Sequence, residues 1–274
     1  MSEGTPGVSF SDAVAEVYDR HLVPMIFEPY ALDITQRLGA LEPSRVLEVA
    51  AGTGAVTRTI AAQLPSTVSL VATDLSPSMI DHATKAGTAR PVEWQVADAL
   101  SLPFPADSFD AVVCQFGVMF FPDRVAGYRE ALRVLRPGGW FLFNVWDRIE
   151  HNDFAHVVST AIATRYPDDP PMFMERIPHG YFEADQIRAD LAAAGFDGDV
   201  TIDEVGARSM APTSDIVARA YCYGTPTRNF LEARGEGELA ASAATAEAAL
   251  ANAFGRTDLD GRINAFVIAA QAPA

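Results

Sequence analysis

Three carboxylates at the ends of short apolar stretches are the residues of this sequence best placed to do chemistry. They are Glu48, Asp74 and Asp98. A carboxylate accepts hydrogen bonds at both oxygens, so one that ends a buried strand can bind the two hydroxyl groups of a ribose. Asp74 follows the apolar run VSLVAT and has this position. The sequence therefore predicts a site for a nucleotide-like ligand, with Asp74 on the sugar.

A glycine-containing turn follows the first carboxylate, within the segment VLEVAAGTGAVT at residues 46–57. Its first residues are aliphatic and β-branched, as in a strand that is covered on both faces. Gly52 and Gly54 flank Thr53 and allow the chain to bend sharply before a helix begins near Ala55. Such a bend at a helix N-terminus is where α/β sheets hold nucleotide-like ligands.

Strands and helices alternate around these residues. Further apolar strands are predicted at 68–73, 92–97, 109–116 and 140–146, with helices at 55–64, from Pro77 onward and at 128–135. Alternation of this kind is typical of a parallel sheet, in which the carboxyl ends of the strands form the ligand crevice. Glu48, Asp74, Asp98 and Gln115, which ends the fourth strand, are therefore expected at one rim of a single sheet.

The ordered set of motifs resembles the class I S-adenosylmethionine (SAM)-dependent methyltransferases, in the group of methyltransferase type 11 and quinone-biosynthesis C-methyltransferases. The resemblance rests on Glu48 with the glycine turn, Asp74 about 20 residues later, the segment DALSLPFPADSFD that begins at Asp98, and LRPGGWFLF. It covers 45–146 and, more loosely, 181–196. One position departs from the family pattern, because Ala50 stands where the first glycine is usual. We expect this methyl group to be tolerated, since the two later glycines remain to form the bend.

The resemblance implies a fold, a cofactor and a set of contacts. The fold is α/β, a Rossmann-like, doubly wound, seven-stranded, mostly parallel sheet with an antiparallel last strand and helical cap insertions. The cofactor is SAM, with Asp98 on the adenine amino group and the Ala99 N–H on a ring nitrogen. The implied cofactor-binding residues are Glu48, Ala50, Gly52, Thr53, Gly54, Asp74, Leu75, Met79, Asp98, Ala99, Gln115 and Tyr18.

The chain divides by composition into a core and segments that cover it. An N-terminal helical lid is expected at 1–40, with a first helix from Ser9 and interruptions at Pro24 and Pro29. The α/β core is expected at 41–147 and 181–210, with the final core strand, at the sheet edge, in 257–274. Cap segments are expected at 148–180, which is rich in proline, and at 211–256, which is rich in alanine and helical in its periodicity.

Charge and cysteine content exclude several classes of function. Against 20 basic residues the chain has 36 acidic ones, a net charge of -16, which argues against a nucleic-acid or anionic-membrane surface. The two cysteines are far apart and no Cys or His spacing indicates a metal site, so we predict reduced thiols and no metal. The first residues carry acids without an apolar run, and no stretch is apolar enough to span a bilayer. We expect a cytoplasmic protein; the oligomeric state does not follow from the sequence.

A general base is not identified by any motif. His21, His151 and His179 are weak candidates, as is His156, with His82 weaker still, and many methyltransferases of small molecules act by proximity alone. Cap residues such as Phe173 and Tyr221 can line an apolar acceptor pocket or only pack the cap.

The sequence therefore favours transfer of a methyl group from SAM to a small, partly apolar metabolite, with the acceptor atom undetermined. Two alternatives stay open: a SAM-binding protein without methyl transfer, and transfer of another group from a SAM derivative. A nicotinamide-dependent oxidoreductase is a minor possibility that a ligand-induced shift in melting temperature would test.

Overall fold

A computed structural model of the protein describes residues 11–274. The proposed start of the first helix at Ser9 lies outside them. The chain enters through α1 (Asp12–Val17), a π-helix (Tyr18–Phe27) and α2 (Glu28–Ala40), which follow one another without a break. The sequence predicted an interruption at Pro24, but this residue lies inside the π-helix. Proline has no N–H to donate, and the wider π-helical spacing accommodates it, with the Glu28 N–H donating to the Val23 carbonyl.

One seven-stranded sheet forms the core, in the order β3-β2-β1-β4-β5-β7-β6. The strands are β1 (Arg45–Glu48), β2 (Ser69–Asp74), β3 (Glu93–Val96), β4 (Phe109–Gln115), β5 (Leu135–Trp146), β6 (Val200–Thr213) and β7 (Thr257–Gln271). β7 pairs antiparallel with both β5 and β6, and the pairs among β1 to β5 are parallel. The predicted Rossmann-like, mostly parallel sheet with an antiparallel last strand is confirmed.

Two strands differ from the sequence prediction. β7 was expected at the sheet edge, but it lies between β5 and β6, so the edge strand is β6. β5 begins at Leu135 rather than Trp140, because Leu135 pairs with Phe109 before the register shifts and Trp140 pairs with Ala111. The intervening segment contains Gly138 with φ of 73°, a left-handed conformation that glycine adopts at little cost.

Helices cover both faces of the sheet. Along the core they are α3 (Ala55–Gln63), α4 (Pro77–Ala86), α5 (Arg124–Val134) and α8 (Ala184–Ala194). Ser76 caps α4, as its position before Pro77 predicted, by accepting a 3.4 Å hydrogen bond from the Met79 N–H. One apolar cluster packs α2 and α3 against one face of β1 and β4, and a larger one fills the other face and continues into the cap.

The cap is helical. It contains α6 (Asp153–Arg165), the short α7 (Phe173–Arg176), α9 (Ser214–Tyr223), α10 (Thr227–Glu232) and α11 (Glu238–Phe254). Phe154, Phe173 and Tyr221 are buried within it and pack its core, whereas the buried Tyr181 contacts Tyr128 of α5 and Asp190 of α8. Among the described residues, no helix combines the length and apolar character needed to cross a membrane.

Candidate functional site

Four strand ends meet at one rim of the sheet. Glu48 ends β1, Asp74 ends β2 and Gln115 ends β4, and β1 lies between the other two strands. Asp98 lies just beyond β3, where the Ala97 N–H donates to the Asp74 carbonyl over 3.0 Å. The structure therefore brings the acidic residues singled out from the sequence to the same edge.

The glycine turn is tied to Asp74. The Gly52 N–H donates to Asp74 Oδ2 and the Ser76 N–H to Asp74 Oδ1, each over 2.8 Å. Burial raises the pKa of the Asp74 carboxyl, and these two N–H groups partly offset the shift. Each oxygen keeps a lone pair for a ligand hydroxyl, so Asp74 can shape the turn and bind a sugar at once.

Glu48 is a buried acid with a single side-chain donor. Its Oε2 accepts a 2.6 Å hydrogen bond from the Thr57 hydroxyl, and the residue is 1% exposed. Burial disfavours the charged form and raises the pKa of Glu48 to about 8, against the lowering effect of Thr57 and Arg58. In the free protein at neutral pH this carboxyl is therefore mostly protonated.

A small cavity of about 30 Å³ lies between the glycine turn and the π-helix. It is lined by Tyr18, Phe27, Glu48, Ala50, Ala51, Gly52, Thr53, Ala55, Val56 and Gln115. Tyr18 and Phe27 form its roof, with their rings stacked 4.9 Å apart. The contribution of Phe27 was missed from the sequence, because no local pattern indicates that the end of an N-terminal helix meets the end of β4.

The rest of the predicted cofactor site lies outside this cavity. Met79 is buried and Ala99 is half-buried. Leu75 is 57% exposed, and Val96, which pairs with Asp74 from β3, is 48% exposed. Asp98 Oδ1 accepts the Leu100 N–H over 2.9 Å. Leu75 and Val96 therefore give this part of the rim exposed apolar side chains near the Asp98 carboxylate, which suits a flat heteroaromatic ring.

Aromatic rings continue from the cavity along the ends of β4 and β5. Phe116, held at φ of 51°, stacks on Trp146 with ring centroids 3.8 Å apart. Its N–H donates to Asn144 Oδ1 over 2.8 Å. Tyr30 meets both rings edge-on at 5.2 and 5.3 Å. These three rings are buried, and their packing on one another supports the rim beyond Gln115.

None of the candidate histidines lines the cavity. His21 lies on the π-helix, and its pKa is lowered by partial burial and by Arg20 and Arg219. His151 is half-exposed, and its Nδ1 lies 2.5 Å from Oδ2 of the buried Asp147. His82 pairs with Asp19 instead of facing the cavity.

His179 is buried beside Trp146. Its Nδ1 lies 2.8 Å from the Asp147 carbonyl, which can only accept, so Nδ1 carries the proton. Burial lowers the pKa of His179 to about 4, against the raising effect of Asp147.

His179 should make the fold sensitive to acid. Between pH 6.5 and pH 4, His179 is protonated in the unfolded chain but neutral in the folded protein. The free energy of unfolding therefore decreases as the pH falls through this range. The loss is about 1.4 kcal/mol per pH unit. Urea unfolding of the wild type and of His179→Gln between pH 7 and pH 4.5 measures it as a shrinking difference in stability. A difference that stays constant with pH would contradict this assignment.

Ala50 holds a strained backbone conformation. Its φ is 53°, and a methyl group added to Gly117 would lie 2.5 Å from the Ala50 Cβ and 2.7 Å from Cys114 Sγ. Cys114 itself is buried and unpaired with another cysteine, and burial raises the pKa of its thiol. The methyl group of Ala50 therefore fits because residue 117 is a glycine and has no side chain at this place.

Ala50→Gly should change little. Relief of left-handed strain of about 1 kcal/mol is offset by about 0.4–1 kcal/mol of added chain entropy in the unfolded state. Calorimetric titration with S-adenosylhomocysteine should give a dissociation constant within roughly tenfold, or 1.4 kcal/mol, of the wild type. A much tighter complex would mean that Ala50 obstructs the site.

Comparison with known proteins gives one family and several relatives. Residues 47–143 match the family model described as a methyltransferase domain. A ubiquinone/menaquinone biosynthesis C-methyltransferase of Geotalea daltonii is 31% identical over 164 residues, which are 56% of this chain and 70% of that protein. A protein of the same description from Geobacter sulfurreducens is 41% identical over 102 residues, which span only 40% of its length.

The fold also occurs among solved structures. Phosphoethanolamine N-methyltransferase 2 of Haemonchus contortus, in complex with phosphomonomethylethanolamine and S-adenosylhomocysteine, superimposes with a TM-score of 0.59 and 18% identity. The match covers 97% of this chain and 59% of that one. At this identity the likeness concerns the fold alone.

Proposed function

The chain belongs to the class I SAM-dependent methyltransferases, and from this we propose that it transfers the methyl group of SAM to a small, partly apolar metabolite. The observation that carries the proposal is the meeting of Glu48, the glycine turn, Asp74 and Gln115 at one sheet rim. Such a rim is where open α/β sheets bind ligands.

The residues at the rim fit SAM. A methyl group added to Gly52 would meet no atom within 4 Å, so open space lies above the turn. In this proposal Asp74 holds the ribose hydroxyls, Asp98 and the Ala99 N–H hold the adenine, and Leu75 and Met79 contact the ring. Glu48, Thr53 and Gln115 face the amino-acid end under Tyr18. When bound, SAM supplies a methyl group on a positively charged sulfur, ready for attack by a nucleophile.

The relatives support a small, partly apolar acceptor. Beyond Gln115 the nearby rings of Phe116, Trp146, Phe27 and Tyr30 are buried and pack on one another, so this end of the rim is apolar. The names of the two C-methyltransferase relatives point toward acceptors of this kind. The cap that would complete the acceptor pocket lies outside the matched residues 47–143.

Positioning and exclusion of water would supply most of the rate. If a proton must be removed, His151 is the best suited of the three histidines. The Asp147 carboxylate accepts its Nδ1–H, which leaves Nε2 as the basic nitrogen, and the residue lines a surface groove. His179 is buried with a lowered pKa, and His21 faces charged residues of the cap.

Two measurements test the proposal. Calorimetric titration should detect binding of S-adenosylhomocysteine, and SAM with a labelled methyl group should label one or more members of a panel of quinols, phenols and amines. Binding without labelling across the panel would favour a SAM-binding protein without methyl transfer. If neither S-adenosylhomocysteine nor SAM binds, the proposal is refuted.

A further inference from the structure

The roof of the cavity is fastened to the core from its outer side. Asp19, next to Tyr18 on the π-helix, accepts hydrogen bonds from two different core helices. Arg58 Nη2 of α3 lies 2.8 Å from Asp19 Oδ1, and His82 Nε2 of α4 lies 3.1 Å from Oδ2. The three side chains are between 23% and 29% exposed, so solvent screens this contact less than it would a surface pair.

This contact also reaches the glycine turn. Arg58 Nη1 donates to the Thr53 carbonyl over 2.6 Å, so one guanidinium holds both the turn and Asp19. Partial burial raises the pKa of Asp19, but the hydrogen bond from His82, the charge of Arg58 and the Thr53 hydroxyl outweigh this effect, so the pKa is lowered overall. Asp19 is therefore ionised at neutral pH and forms a charge-assisted contact.

The closed roof leaves too little space beneath it for the amino-acid end of the proposed ligand. The cavity under Tyr18 and Phe27 holds about 30 Å³, whereas small-molecule sites are typically about 300–1,000 Å³. Tyr18 lies close enough to Asp74 for that carboxylate to raise the pKa of its hydroxyl. A ligand group that reaches Glu48 through this cavity must displace the π-helix, and the contacts of Asp19 resist that displacement.

We propose that Asp19, clamped by Arg58 and His82, is a positioning residue that holds Tyr18 and Phe27 over the cofactor site and sets the rate of cofactor exchange. This inference rests on the proposed function, because it takes SAM and S-adenosylhomocysteine as the ligands that pass under the roof. It gives Asp19, Arg58 and His82 a role in the kinetics of ligand exchange, although none of them is a proposed cofactor contact.

Asp19→Asn tests the clamp, because it keeps the shape of the side chain and removes its charge. In the free protein, amide hydrogen exchange at 18–27 should become roughly tenfold faster, as expected when a local opening becomes easier. In stopped-flow measurements with S-adenosylhomocysteine, association and dissociation should both accelerate by roughly tenfold, with a smaller change in the dissociation constant. Asp19→Glu should restore part of the wild-type rates.

Glu16→Gln is the matched control. Glu16 lies on α1 and pairs with Arg20 at the surface, where both side chains are more than 60% exposed. Its removal should leave exchange and ligand kinetics unchanged. If Asp19→Asn matches Glu16→Gln in hydrogen exchange, the clamp is refuted whether or not the ligand binds. If the wild type binds no S-adenosylhomocysteine while the exchange result holds, the proposed function fails and the clamp stands.

Discussion

Gly52→Ala is expected to leave the free protein folded and to weaken binding of S-adenosylhomocysteine by roughly 10- to 100-fold, the effect of about 1–3 kcal/mol of overpacking. The residue has φ of 57°, and an added methyl group would meet no protein atom within 4 Å. In the free protein the substitution therefore costs only backbone strain, about 1–2 kcal/mol. In the complex the methyl group would occupy space that the proposed ligand needs.

Gly87→Ala separates these two effects. Gly87 follows α4, has φ of 76° and likewise offers open space to a methyl group, but it lies outside the residues that line the cavity. Gly87→Ala should lose at least as much thermal stability as Gly52→Ala, because its φ of 76° and ψ of 172° lie in a region that few residues besides glycine adopt. Only Gly52→Ala should lose affinity in calorimetric titration. Equal affinities for the two would place the ligand elsewhere.

Binding of S-adenosylhomocysteine is expected to strengthen as the pH rises from 6 to 8 and to level off near the pKa of Glu48, about 8. In the free protein Glu48 is protonated below about pH 8. The positively charged ammonium group of the ligand favours the ionised Glu48, so binding below this pH must release the Glu48 proton. The slope approaches about tenfold in affinity per pH unit when release is complete. Titration in two buffers of different ionisation enthalpy measures the released proton directly.

Two variants identify the group responsible. Glu48→Gln should bind more weakly at pH 8 and show no slope between pH 6 and pH 8. Thr57→Val removes the hydroxyl that donates to Glu48 Oε2 and should move the upper limit of the slope to higher pH. A wild-type affinity that does not change with pH would show that Glu48 keeps its proton in the complex and does not meet the ammonium group.

Local patterns predicted the parts of the fold whose causes are local. The strands that end at Glu48, Asp74 and Gln115 are short apolar runs. The start of α4 follows from Ser76 as its N-cap and Pro77 at the first helical position. The position of β7 inside the sheet depends on pairing with β5 across more than 100 residues of chain, which no local pattern encodes.

The same distinction applies to the site. Carboxylates and glycines at strand ends were identified from residue type and spacing, because their geometry is set within a few residues. The roof was identified only in part, through Tyr18. Phe27 contacts the core through the 3.4 Å hydrogen bond from Gln115 Nε2 to its carbonyl, and Asp19 through Arg58 and His82. These contacts join segments that are 39 to 88 residues apart.

A side chain at position 117 would begin only 2.5 Å from the Ala50 Cβ, so the residues allowed at positions 50 and 117 depend on each other. Enlarging residue 117 on its own would force apart the ends of β1 and β4, whereas the same change beside a glycine at 50 would meet only Cys114. An engineer who reshapes this rim by enlarging residue 117 must therefore change residue 50 with it, and must also make room at Cys114, whose Sγ would lie 2.7 Å from the added methyl group.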